Sequence, residues 1–220
     1  NQSVRVQLNS AANIPSGPVI VTDDGSGLYG AYFSSAVGAT NFSSISIQGP
    51  GTSGVHTPRR KGALRLANTW AGPVTLTQTA TIGASSGTGS ILGNISDGGN
   101  NLTLEIFGGT ISLGPATGVN TYGMTMIDED YNGNTGAPLL TDVRALNSQP
   151  FGSGPVQMFG RTQLQLNGHD LSIPSLIDAT VTGTSIYGVS SFGGGSFSPV
   201  VLNNATNAPA TLTIGSDNST

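Results

Sequence analysis

The chain contains no cysteine. A disulfide framework and a thiolate metal site are therefore excluded. Charge is scarce too. Asp, Glu, Lys and Arg make up 8% of the residues, about a third of the usual share. Seven basic residues against eleven acidic ones leave a net charge of −4. Such a balance offers no strong positive field to nucleic acid or to anionic lipid, and neither partner is expected. No apolar run approaches the ~20 residues of a membrane helix, so no membrane insertion of this segment is expected. Amphipathic helical spacing is nearly missing. The best stretch is PLLTDVRALN (Pro138–Asn147), where Leu139, Leu140, Val143 and Leu146 could share a helical face. The same stretch fits a short strand.

What is abundant is glycine, at 33 of 220 residues, about double the average share. Ser, Thr and Asn fill much of the remainder. Between them run short Val/Ile/Leu/Thr segments, which are strand material. Apolar residues alternate with polar ones, as a strand with one buried face requires. Val74, Leu76, Ala80 and Ile82 do so in GPVTLTQTATIG. Leu102, Leu104 and Ile106 follow the same rule, as do Ile111 and Leu113, and Leu212 and Ile214. In LQLNGHDLSIPSL (Leu164–Leu176), the pairs Leu164/Leu166 and Leu171/Ile173 flank Asn167-Gly168. Asn-Gly accepts positive φ cheaply. It fits either a hairpin between paired strands or a corner in a stacked chain.

Repeats sharpen the fold. Pro-Val opens an apolar run in SGPVIV (Ser16–Val21), AGPVTL (Ala71–Leu76), SGPVQM (Ser153–Met158) and SPVVL (Ser198–Leu202). VRVQLNSAANIPSGPV (Val4–Val19) aligns with VRALNSQPFGSGPV (Val143–Val156) when two residues are skipped. The chain reads as one elongated unit over 1–220, about one and a half copies of a long repeat offset from Ser16 to Ser153. Short strands, few charges and Gly/Asn corners point to an all-β solenoid with almost no helix, whose stacked passes bury a thin core. Passes of about 20–25 residues at ~4.8 Å spacing would give a rod on the order of 45–50 Å long. The alternative is an antiparallel β-sandwich.

The segment NTWAGPVTLTQTATIGASSGTGSILGNISDGGNNLTL (Asn68–Leu104) resembles the autotransporter-associated β-strand repeat of bacterial surface proteins. The resemblance rests on Thr69, Trp70 and Gly72, then on Leu92, Gly93, Ile95 and Gly98. GGTISLGPATGVNTYGMTMI (Gly108–Ile127), Phe151–Leu176 and ATLTIG (Ala210–Gly215) resemble the elements that follow. Departures are Phe107-Gly108, where the family has a Lys-Thr-Gly-x-Gly segment, the acidic Asp128–Asp130 stretch, and a weakly matching N-terminal third. The resemblance implies a right-handed parallel β-helix without catalytic residues. It would be exported and displayed as the shaft of a filament or the stalk of an adhesin. The first residues, NQSVRVQLNS, lack the basic start and apolar core of a signal peptide, so any leader is expected upstream.

Asp128, Asp130 and Asn132 form the strongest candidate metal site. Asp-x-Asp-x-Asn-Gly is the first half of a calcium loop, with hard oxygens at alternate positions and Gly for the turn. The twelfth position of such a loop takes a bidentate Glu, and Leu139 stands there instead. The competing reading is a solvated acidic turn. Calcium is the one cofactor considered. His169-Asp170 invites a triad or metal reading, but no Ser nucleophile is implied by spacing, and the other histidine, His56, is distant in sequence. A corner is the simpler reading. Tyr29, Tyr32 and Phe33 could stack on a sugar, or cap an edge of the core. No catalytic residues are expected. The expected partners are further copies of the chain, through homo-oligomers or tandem self-association at open strand edges, and a surface polysaccharide. The runner-up function is a carbohydrate-binding or polysaccharide-cleaving β-helix, which would need carboxylates facing each other across a groove.

Overall fold

The computed structural model describes residues 5–8, 17–22, 32–35, 44–49, 51, 62–84, 87–131, 138–178 and 198–215. Every regular element among them is a β-strand. The first seven are β1 (Arg5–Leu8), β2 (Val19–Val21), β3 (Tyr32–Ser35), β4 (Ile45–Gly49), β5 (Leu64–Leu66), β6 (Thr69–Trp70) and β7 (Val74–Ala84). Then come β8 (Thr88–Ile91), β9 (Ile95–Ser96), β10 (Leu104–Phe107), β11 (Gly109–Leu113), β12 (Thr125–Asp128), β13 (Asp130–Tyr131) and β14 (Pro138–Leu139). The last seven are β15 (Thr141–Ala145), β16 (Val156–Met158), β17 (Thr162–Gln165), β18 (Leu171–Ile173), β19 (Leu176–Asp178), β20 (Val200–Leu202) and β21 (Leu212–Ile214).

The strands pair with partners one pass of the chain away. A first ladder runs β1-β3-β5-β7-β10-β12-β16-β19. A second, six-stranded one runs β6-β8-β11-β15-β17-β20. β7 is long enough to serve two rows. Its first half, from Val74, pairs with β4 and β9, and its second half pairs with β5 and β10. β2 extends the first of these rows beyond β4, and β18 pairs with β21. From β5 to β9 the chain therefore visits first ladder, second ladder and third row in turn, twice over. Every pairing among the described residues is parallel except β13 with β14. Parallel strands need a crossover between them, which is the opposite of the hairpins that build an antiparallel sandwich.

Register follows the alternation. Ala80 pairs with Leu104, Leu104 with Thr125, Thr125 with Val156 and Val156 with Leu176. Ile82, Leu104, Ile106, Ile127 and Val156 are all fully buried on the inner side, with Ile111, Val143 and Leu164 facing them from the second ladder. One continuous apolar cluster joins Val21 to Ile173. Trp70 is wholly buried within it. Leu164, Leu166, Leu171 and Ile173 are buried as their alternation requires.

Three ambiguous stretches resolve. PLLTDVRALN holds two strands, β14 and β15, with Val143 buried in β15 and Leu139 and Leu140 exposed. Asn167-Gly168 is a corner. Its φ angles are 53° and 82°, and His169 N–H closes the turn on Leu166 O at 3.0 Å. The flanking strands do not pair with each other, since β17 joins β15 and β20 while β18 joins β21. Pro-Val marks strand starts in different rows. Val19 and Val74 share a row through Ile45, whereas Val156 opens a strand of the first ladder and Val200 one of the second. Likewise, of the two segments aligned as a repeat, Arg5–Leu8 lies in the first ladder and Thr141–Ala145 in the second.

Close approach of successive passes explains the glycine content at one corner in particular. A Cβ on Gly93 would collide with the carbonyl of Gly72. No side chain fits where two backbones touch.

Candidate functional site

The structure describes some of the residues singled out from the sequence. Asp128 ends β12, and its Oδ1 accepts the Glu129 N–H at 2.8 Å. Asp130 is a strand residue of β13, paired with Leu139. Asn132 lies outside the described residues, as do Tyr29 and His56. Tyr32 and Phe33 belong to β3. Among the described residues no group of three or more His, Cys, Asp or Glu side chains is placed to hold a metal ion. The β13–β14 hairpin explains why the step from Thr125 to Val156 exceeds its neighbours: the acidic stretch opens an insertion between two ladder strands. Glu129 anchors its base, because Glu129 Oε2 accepts the Arg161 N–H from the next pass at 2.8 Å.

His169 and Asp170 do not act on each other. Asp170 Oδ1 accepts the Thr211 N–H at 2.7 Å, from the neighbouring pass. The pair therefore serves the corner that the apolar flanks suggested.

A dense polar cluster among the described residues was not legible as a motif. It lies on the outer side of the second ladder, around Asp142. Alternation in β15 turns Val143 inward, so Asp142 and Arg144 turn outward. In-register pairing then lines up Thr110, Asp142 and Gln163 across three strands, and Ser112, Arg144 and Gln165 beside them. Asp142 Oδ1 accepts from Gln163 Nε2 at 2.9 Å and from Gln165 Nε2 at 2.8 Å. Asp142 Oδ2 accepts from Arg144 Nε at 2.8 Å and from Thr110 Oγ1 at 3.4 Å. Asp142 and Gln165 are buried, and the Arg144 side chain is partly exposed. Both carboxylate oxygens are engaged, which satisfies a buried charge. This geometry makes Asp142 a clasp across β11, β15 and β17.

Two further polar residues do similar work elsewhere. Asn120 is buried in a segment outside the regular strands, next to β9 on one side and to Pro150 on the other. Its Oδ1 accepts the Ile95 N–H at 2.8 Å, and its Nδ2 donates to Pro150 O at 2.7 Å. One side chain thus bridges three passes and stands in for missing ladder bonds. Asp97 caps its own loop, accepting from Gly99 N–H at 2.9 Å and from Leu102 N–H at 2.7 Å. Tyr122 is fully buried, with its hydroxyl 2.8 Å from Thr125 Oγ1. Burial pushes its phenol up to about 12, against the smaller opposing effect of the Thr125 and Gly152 hydrogen bonds.

These side chains share one property. Asp97, Asn120, Tyr122 and Asp142 each reach partners on their own loop or on an adjacent pass. The arrangement ties passes together. Comparison with protein-family models, with curated proteins and with solved structures returns no match.

Proposed function

We propose that the chain is one stacked β-helical segment of an exported bacterial surface protein, and that it serves as part of a shaft, filament or adhesin stalk. The observation that carries this reading is the succession of parallel, in-register ladders whose strands are each one pass apart. A right-handed path is favoured, since parallel crossovers are right-handed in about 98% of cases. The motifs at Thr69–Gly72 and Leu92–Gly98 support a relation to autotransporter-associated repeats. Mechanical resistance would reside in the backbone ladders and in clasps such as Asp142, rather than in a reactive side chain.

The first ladder has eight strands on its main path, which at ~4.8 Å each span about 34 Å. A shaft with useful reach would join many such units. Ile214 points along the inner side of β21, in register with the buried Ile173, yet stands half exposed. A further rung from a second copy would cover it. Electron microscopy of the concentrated protein tests the reading: rods of constant width and increasing length are expected. A strictly monomeric particle at high concentration would overturn the self-assembly half of the proposal.

A further inference from the structure

The chain contains two Asn-Gly pairs, Asn132-Gly133 and Asn167-Gly168. Asn-Gly is the sequence most prone to spontaneous deamidation, since glycine leaves the following backbone nitrogen sterically open. In that reaction Gly168 N would lose its proton and bond to Asn167 Cγ, and ammonia would leave. Water would then open the cyclic imide to aspartate or isoaspartate. Asn167 is solvent-exposed, so water and base have access to it. Isoaspartate would insert an extra backbone atom into the corner that joins β17 to β18.

The next pass blocks the first step. Gly168 N–H donates to Asn203 Oδ1 at 2.9 Å, which holds the proton and points the nitrogen away from attack. Asn203 is itself fixed, because its Nδ2 donates to Ala208 O at 2.8 Å. Asn167 Nδ2 donates to Ala145 O at 3.2 Å on the preceding pass, which holds the amide that would have to swing round. A Cβ on Gly168 would lie 3.0 Å from Ala208 Cβ and 3.1 Å from Ala205 Cβ, so neighbours also crowd the backbone that must rotate. We propose that Asn203 is a chemical guard: stacking of the following pass onto this corner protects the Asn167–Gly168 bond from succinimide formation.

The test measures deamidation and isoaspartate at Asn167 by peptide mass spectrometry during incubation at mildly alkaline pH. Folded wild-type protein is expected to react at Asn167 far more slowly than the same chain in urea. Asn203→Ala, which removes the acceptor, should react about fivefold faster than wild type, the effect of losing one backbone hydrogen bond. Asn203→Asp keeps an acceptor for Gly168 N–H and should remain close to wild type at Asn167. Hydrogen exchange in β15 and β17 checks that each variant is folded. Equal rates at Asn167 in folded and urea-unfolded wild type would overturn the proposal without any variant. A folded Asn203→Ala protein reacting at the wild-type rate would overturn it as well, and so would Asn203→Asp reacting as fast as Asn203→Ala.

Discussion

Ile173 and Ile214 face each other in register on neighbouring parallel strands, β18 and β21. Both follow the same inward alternation. Ile173 is 3% exposed and Ile214 is 51% exposed. The contrast extends across the last pass. Leu164 is fully buried, whereas its partner Val201 is only partly so, and Val156 is fully buried, whereas Leu176 is not. Sequence pattern decides which way a side chain points. The passes on either side decide whether it is dry. In a stack, apolar burial is a property of position along the ladder.

The largest effect should come from truncating an interior rung. Leu104→Ala removes a fully buried side chain flanked by β7 and β12, and should cost about 2–5 kcal/mol in urea unfolding. Ile214→Ala, at the exposed end, should cost well under about 1 kcal/mol, since half of its surface is already wet. Similar costs at the two sites would break the comparison.

Next comes the outer clasp. Asp142→Ala leaves the Gln163, Gln165 and Thr110 donors without their acceptor, and should cost about 2–3 kcal/mol. Alanine at Asp170, which holds only the Thr211 N–H near the chain's last described pass, should cost about 1 kcal/mol or less. Equal losses in chemical denaturation would show that the clasp adds nothing beyond an ordinary corner bond.

The buried phenol gives a pH-dependent version of the contrast. Tyr122 ionises near its ordinary value of 10 when unfolded and at about 12 when folded. Its contribution is complete below pH 10 and is lost as pH rises through 12. Stability should fall by about 2–3 kcal/mol over that window. Tyr122→Phe should lose roughly 1 kcal/mol with the Thr125 hydrogen bond and show a flatter alkaline profile. An unchanged alkaline slope in that variant would assign the loss to other groups.

Much of the fold was legible as alternation. Val74/Leu76, Leu104/Ile106 and Leu164/Leu166 declare strands and name their inner faces. The ladder each strand joins was less legible, because parallel partners lie a full pass away and no turn residue records the crossover. Asn167-Gly168 shows the limit. The dipeptide specifies positive φ, and only the pairing of β17 and β18 with distant strands makes it a corner instead of a hairpin. The Asp142 clasp left no local signature. Three of its four donors come from Thr110, Gln163 and Gln165, 21 to 32 residues away, and only register brings them together. Insertions such as the β13–β14 hairpin hid the period further, by lengthening single passes.

The central claim is that successive passes stack in register, and one distance tests it most directly. Thr69 and Leu202 occupy outward positions at opposite ends of the second ladder, linked through Ser90, Ser112, Arg144 and Gln165. Five strand spacings separate them, about 24 Å. The chain has no native cysteine, so Thr69→Cys and Leu202→Cys can carry a spin label each without interference. Double electron–electron resonance should return a narrow distribution centred near 24 Å, widened only by the label linkers. A broad distribution, or a maximum displaced by more than two strand spacings, would contradict the stacked ladder.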